Sequence, residues 1–155
     1  MIETPSLIDS PAQATAMIPL LIPRSAIATE MGPAIREVFA VLGAQGLRPA
    51  GPWFCYHRRL APDRFDFEVS VPVEGAVADS GRVRAGLRPA APVARTVMRG
   101  GYDQLQAAWP ALDRWIAGQG LKARGDFWET YAVGPERSAD PADWRTELNR
   151  VLIAD

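Results

Sequence analysis

The feature that most constrains this chain is that it is written twice. AQGL at 44–47 returns as GQGL at 118–121, an offset of 74. Self-similarity at such a period is the mark of two copies of one supersecondary unit. Gly51 and Gly125 keep the same offset, and each leads into an aromatic run, PWFCYH at 52–57 and DFWETY at 126–131. Farther on, FEVSVPV at 67–73 is answered by TELNRVL at 146–152 at an offset of 79. The extra length falls in GPERSADPAD, whose Pro, Gly and Asp suit a loop.

Each half reads strand, helix, strand, strand. In the first, QATAMIPLLI is a β-rich run, and Gly32-Pro33 is expected to open a helix with Pro33 in its first turn. Ile35, Val38, Phe39 and Leu42 recur on one helical face, with a stop near Gly43–Gly46. PWFCYHRR and RFDFEVSVPV follow as a hairpin. In the second half, RVRAGLRPAAPVARTVMR supplies one or two strands, and its arginines (Arg82, Arg84, Arg88) suit an edge protected from aggregation. YDQLQAAWPALDRWIAGQ reads as a helix with Leu105, Trp109, Leu112 and Ile116 on one face and a kink at Pro110. FWETYAV and WRTELNRVLI form the last hairpin. The expected fold is α+β: two pseudo-symmetric strand-helix-strand-strand repeats, about 12–75 and 81–153, in one domain over 1–155. They would form an antiparallel sheet with two main helices and a central ligand cleft.

Composition excludes several functions. A formal net charge of −1 offers no global positive field for nucleic acid or an anionic membrane. One Cys, Cys55, precludes an internal disulfide and fits a reducing compartment. The run AMIPLLIP is short and broken by Pro19 and Pro23, unlike a signal peptide or a span, so a cytoplasmic location is expected. Cys55 and His57 lack the remaining ligands of a zinc site, so no metal is expected. The glycines at 81–86 and 100–101 lack phosphate-loop or dinucleotide spacing, and no G-x-S-x-G elbow is present. No cofactor is implied.

The candidate site follows from GDFWETY at 125–131, where Glu129 lies among rings. On a strand, Phe127, Glu129 and Tyr131 share one face. A carboxylate in an apolar wall is costly unless something pairs with it. Aromatic faces beside a carboxylate suit a lipophilic cation, each ring contributing roughly 0.5–2 kcal/mol.

Taken in order, PWFCYHRRLAPDRFDFEVSVPV, RGGYDQLQAAWPALDRWIAGQGL, FWETY and DWRTEL resemble the GyrI-like effector-binding domain, which is also the ligand-sensing part of AraC-type and MerR-type regulators, multidrug sensors among them. The resemblance runs from roughly residue 12 to 153. It implies binding of amphipathic, often cationic molecules with a glutamate between rings. It carries that glutamate onto Glu129, the T-E-L glutamate onto Glu147 and a hairpin tyrosine onto Tyr56. Tyr102 and Trp109 of the second helix are further candidate ring walls, and Glu68 is the repeat mate of Glu147. Cys55 stands where the repeat would place a second Glu129, so asymmetry is expected. Trp53 and Trp115 read as packing residues, Trp128, of opposite parity to Glu129, as packing under the helix, Trp144 as an anchor of the long loop, and His57, beside two arginines, as exposed.

The leading expectation is a stand-alone binding protein for cationic or planar aromatic small molecules, in drug or metabolite sensing or sequestration related to transcription regulation. The residues before the first repeat leave no room for a helix-turn-helix, so direct nucleic-acid binding is not expected, and the candidate protein partners are a separate regulator or a gyrase-like protein. One alternative is a cofactor-free hydrolase of strained electrophiles with Glu129 and Glu147 as paired acid and base. Another is a protein-interaction module that inhibits gyrase.

Overall fold

The repeated tetrapeptide is a helix stop. The computed structural model, which describes residues 2–60 and 62–154, ends α1 (Ile27–Ala44) and α2 (Leu105–Gly118) in the same way. Gly46 and Gly120 adopt φ of 70° and 73°. In the first copy the Gly46 and Leu47 amides donate to the carbonyls of Gly43 (3.2 Å) and Leu42 (2.9 Å). In the second, the Gly120 and Leu121 amides donate to Ala117 (3.0 Å) and Ile116 (3.1 Å). Both are Schellman caps, which need a residue that tolerates the left-handed region, and this is why the glycine recurs.

Contacts divide the chain into two units, Met1–Ser10 with Ala91–Asp155 and Pro11–Ala90. The second of these holds β2 (Gln13–Pro23), β3 (Phe54–Leu60), β4 (Arg64–Pro72) and β5 (Arg84–Arg88) around α1. β4 pairs with both β3 and β2, and β2 pairs on its other side with β5. The first holds β1 (Ser6–Ser10), β6 (Ala91–Arg99), β7 (Ala123–Val133) and β8 (Arg145–Leu152) around α2. There β8 pairs with β7 and β6, and β6 pairs with β1. All these pairings are antiparallel, and the fold is α+β.

Two details differ from the reading of the repeats. β1 precedes the stretch assigned to the first copy, and β5, assigned to the second copy, pairs with β2 of the first. Each unit therefore takes one outer strand from the far side of the sequence boundary. Alternation of residues marks a strand but not its partner, so this exchange was invisible.

The helices also differ from expectation, for a shared reason. α1 starts at Ile27, so Pro33 lies in its interior rather than its first turn, and α2 runs through Pro110 without interruption. A proline removes the hydrogen bond to the carbonyl four residues back. Those carbonyls belong to Thr29 and Gln106, and both of these residues and both prolines are exposed, so water can take the missing donor's place. The buried helix positions are Ala34, Val38 and Leu42 in α1 and Ala108, Leu112 and Ile116 in α2, each pair at the repeat offset. Phe39, expected on the buried face, is 41% exposed. In the α2 unit the helix residues form one core with Ala94, Met98, Leu148 and Leu152.

Candidate functional site

The register of β7 against β8 decides which side chains meet. Phe127 lies opposite Arg150 and Glu129 opposite Leu148. Directly opposed residues of an antiparallel pair project to the same face. Leu148 belongs to the core built on α2, so Phe127, Glu129 and Tyr131 all face that helix.

Glu129 is held there by two neutral donors. The Trp109 indole Nε1 of α2 donates to its Oε2 at 2.7 Å, and the Tyr131 hydroxyl donates to its Oε1 at 2.9 Å. The carboxyl is partly buried, and removal from water pushes its pKa above the ordinary glutamate value, the Trp109 and Tyr131 bonds opposing that only in part. Among the described residues no ion pair includes Glu129. The rings close around it: Trp109 meets Phe127 edge-on at 5.0 Å, and Tyr102 meets Tyr131 at 5.9 Å. Tyr102 opens a 3-10 turn ahead of α2 and lies 5.0 Å from Trp144. Trp144 in turn donates from Nε1 to the Ser138 carbonyl at 2.9 Å, anchoring the long loop as its position suggested.

The structure thus brings together Glu129, Phe127, Tyr131 and Trp109, with Tyr102 at Tyr131. It does not bring in the other acids. Glu147 lies opposite Thr130, one residue out of step with Glu129, and so projects from the other face of the sheet. Its partners there are Arg95 Nε (3.3 Å) and Asn149 Nδ2 (3.1 Å), not Arg145 or Arg150. The pairing of Glu129 with Glu147 that a two-carboxylate hydrolase would use is therefore absent. Tyr56 and Glu68 are cross-strand neighbours in the other unit. They lie one step out of phase with Cys55, whose thiol meets Met31 of α1 at 3.6 Å, so they point away from that helix. Glu68 is buried and ion-paired with Arg58.

Two readings of single residues are corrected. His57 is buried, not exposed: it stacks on Phe67 at 4.9 Å and meets Phe65 at 5.7 Å. Burial, with help from Arg24, pushes its pKa down to about 4. Trp53 is only half-buried, and the core position beside it belongs to Phe54. Trp128 is fully buried, but on the other face of the sheet: it lies opposite Asn149, one residue out of step with Glu129, and so does not pack under the helix as its parity had suggested.

Sequence reasoning missed Arg150 and Asp113. The Arg150 guanidinium lies 4.4 Å from the Trp109 ring centre and 5.0 Å from that of Phe127. It donates to Asp113 of α2 through Nε and Nη2, each at 2.9 Å. A signal existed, because the repeat mate of Arg150 is the fully buried Val71, and an arginine at such a position requires an intramolecular partner. A depression of about 450 Å³ elsewhere in this unit, lined by Leu7, Asp9, Val93, Leu121 and Ile153 among others, contains none of the candidate residues. No group of metal-ligating side chains occurs among the described residues.

Residues 4–149 match the GyrI-like small molecule binding domain. The chain belongs to the GyrI-like family. Solved structures agree on the fold. The C-terminal domain of EcmrR superposes with a TM-score of 0.84 at 21% identity, over 98% of each chain. EcmrR in its DNA complex with RPo gives 0.82 at 22% identity, and there the present chain covers 98% of itself but only 58% of EcmrR. SAV2435 bound to tetraphenylphosphonium gives 0.73 at 12% identity, over 98% of this chain and 95% of that one. A hydrolase from Listeria innocua gives 0.71 at 13% identity, over 97% and 92%. No curated protein matches the chain.

Proposed function

We propose that this GyrI-like domain binds a lipophilic organic cation at Glu129 and serves as a sensing or sequestering module related to transcription regulation. The observation that carries this reading is a partly buried carboxylate with no cationic partner among the described residues, held by an indole N–H and a phenol O–H. Hydrogen bonds from neutral donors fix its position without cancelling its charge. A cation entering beside it supplies the missing partner, and the Tyr131 and Tyr102 rings supply apolar surface. The family description supports small-molecule binding, and SAV2435 offers a probe of the right chemistry, since its structure contains tetraphenylphosphonium.

The test is quenching of intrinsic Trp fluorescence by tetraphenylphosphonium and by the neutral, similarly shaped triphenylphosphine oxide. Trp109 itself bonds to Glu129 and serves as the reporter. The wild type should prefer the cation, and Glu129→Gln should lose roughly tenfold in cation affinity while its affinity for the neutral compound stays put. Equal cation affinity in wild type and Glu129→Gln would exclude Glu129 as a charge anchor.

A further inference from the structure

The aromatic faces beside Glu129 already hold a cation, and it is the chain's own. Arg150 reaches from β8 over both Trp109 and Phe127, with its side chain only 12% exposed. Its charge is taken up by Asp113, bound at two oxygens, rather than by Glu129. Trp109 therefore has two attachments of opposite sign. Its N–H edge serves the Glu129 carboxylate and its π face serves the Arg150 guanidinium. A planar guanidinium suits both jobs, since it forks onto a carboxylate and lies flat on a ring.

We infer that Arg150 is the specificity-determining residue of the Glu129 site, an internal cation that limits how strongly the site accepts a second one. The inference rests on Glu129 being the charge anchor proposed above. Two physical effects act together. Arg150 occupies one face of Trp109 and one of Phe127, so an incoming cation competes with it for those faces. Its positive charge also lies one step along the same strand face from Glu129, and like charges in a partly dry site repel more than in water. A cation at Glu129 is thereby left with the Tyr131 side of the carboxylate, where Oε1 accepts the hydroxyl.

Asp113 is the positioning residue. It neutralises Arg150 and keeps the guanidinium over the rings. Without Asp113 the guanidinium carries an uncompensated charge, and Glu129 becomes the carboxylate it can turn to. The two partners of one ion pair are therefore predicted to act in opposite directions on ligand affinity. A pair that only braced the fold would shift both in the same direction.

The experiment measures tetraphenylphosphonium affinity by fluorescence titration for wild type, Arg150→Ala, Arg150→Met, Asp113→Asn and Glu129→Gln, with thermal melts to establish folding. Arg150→Ala should bind the cation roughly tenfold tighter, the size of one good cation–π contact. Arg150→Met removes the charge but keeps the bulk, so its gain should be smaller. Asp113→Asn should bind more weakly than wild type. Tightening in the arginine variants with weakening in Asp113→Asn supports the inference, whether or not the wild type itself binds measurably. Unchanged affinity in Arg150→Ala, or a shift of the same sign in both partners, overturns it while leaving Glu129 as the anchor. Absence of binding in every protein, or binding that Glu129→Gln leaves intact, overturns the charge-anchor reading and this inference with it.

Discussion

The two copies of the repeat use one scaffold for opposite ends. Where one unit has Glu129, the other has Cys55, and the backbone equivalence is complete: Glu129 pairs with Leu148 and Cys55 with Val69, its repeat mate. Around the acid stand Trp109 and Tyr131, each donating to it. The equivalent positions are Ile35 and His57. Cys55 is fully buried and meets a thioether, Met31, so this half closes on apolar and sulfur contacts. The lesson is that an acid at this position is not required by the fold. It is held in one copy by two neutral donors, Trp109 and Tyr131, which the other copy lacks.

The largest effect should come from transplanting the acid. Cys55→Glu places a carboxylate where Ile35 has no N–H to offer in place of the Trp109 indole and where the His57 ring is stacked on Phe67, in a fully buried position. Overpacking and desolvation together should cost about 3 kcal/mol or more, read as a lower urea midpoint. A cost below about 1 kcal/mol would mean that the first copy is as ready for an acid as the second.

Acid should act on the two copies with opposite signs. His57 has a folded pKa of about 4 against an ordinary 6.5. Its contribution to stability is complete above the unfolded value and is lost as pH falls from about 6.5 towards 4. At 1.36 kcal/mol per unit the loss reaches about 3 kcal/mol at most. Glu129 is raised, so its contribution is present below the ordinary glutamate value and fades as pH rises through the folded one. Urea melts of wild type and His57→Asn between pH 7 and 4 check the first. The mutant should be less stable at pH 7 and show the shallower decline. Parallel curves would contradict burial of a neutral imidazole.

Much of the scaffold was legible and the site was legible in part. The AQGL/GQGL match revealed the repeat, and the stop read near Gly43–Gly46 falls at the Gly46 cap; the glycine recurs at Gly120 because the left-handed position admits few other residues. Alternation within β7 correctly grouped Phe127, Glu129 and Tyr131 on one face. The phase of Glu147 relative to Glu129 depends on register between two strands, which no single strand's alternation reveals. His57 was misread because Arg58 and Arg59 follow it. Both are exposed, yet a bulge between His57 and Arg59 breaks the regular alternation there. The start of α1 was misplaced because proline's preference for the first turn outweighs its tolerance on an exposed face. Arg150 was hidden for a different reason. Its partners, Asp113 and Trp109, lie 37 and 41 positions away, and only the comparison with Val71 set it apart.

The central claim is that Glu129 is a carboxylate waiting for a cation, and its own titration tests that most directly. The measurement is carbon-13 NMR of the glutamate side-chain carboxyls across pH, assigned with Glu129→Gln, without and with saturating tetraphenylphosphonium. The account predicts a Glu129 pKa above the ordinary glutamate value in the free protein, falling when the cation is bound because the charged form then has its partner. A Glu129 that titrates like a solvated glutamate and does not respond to the cation would contradict it.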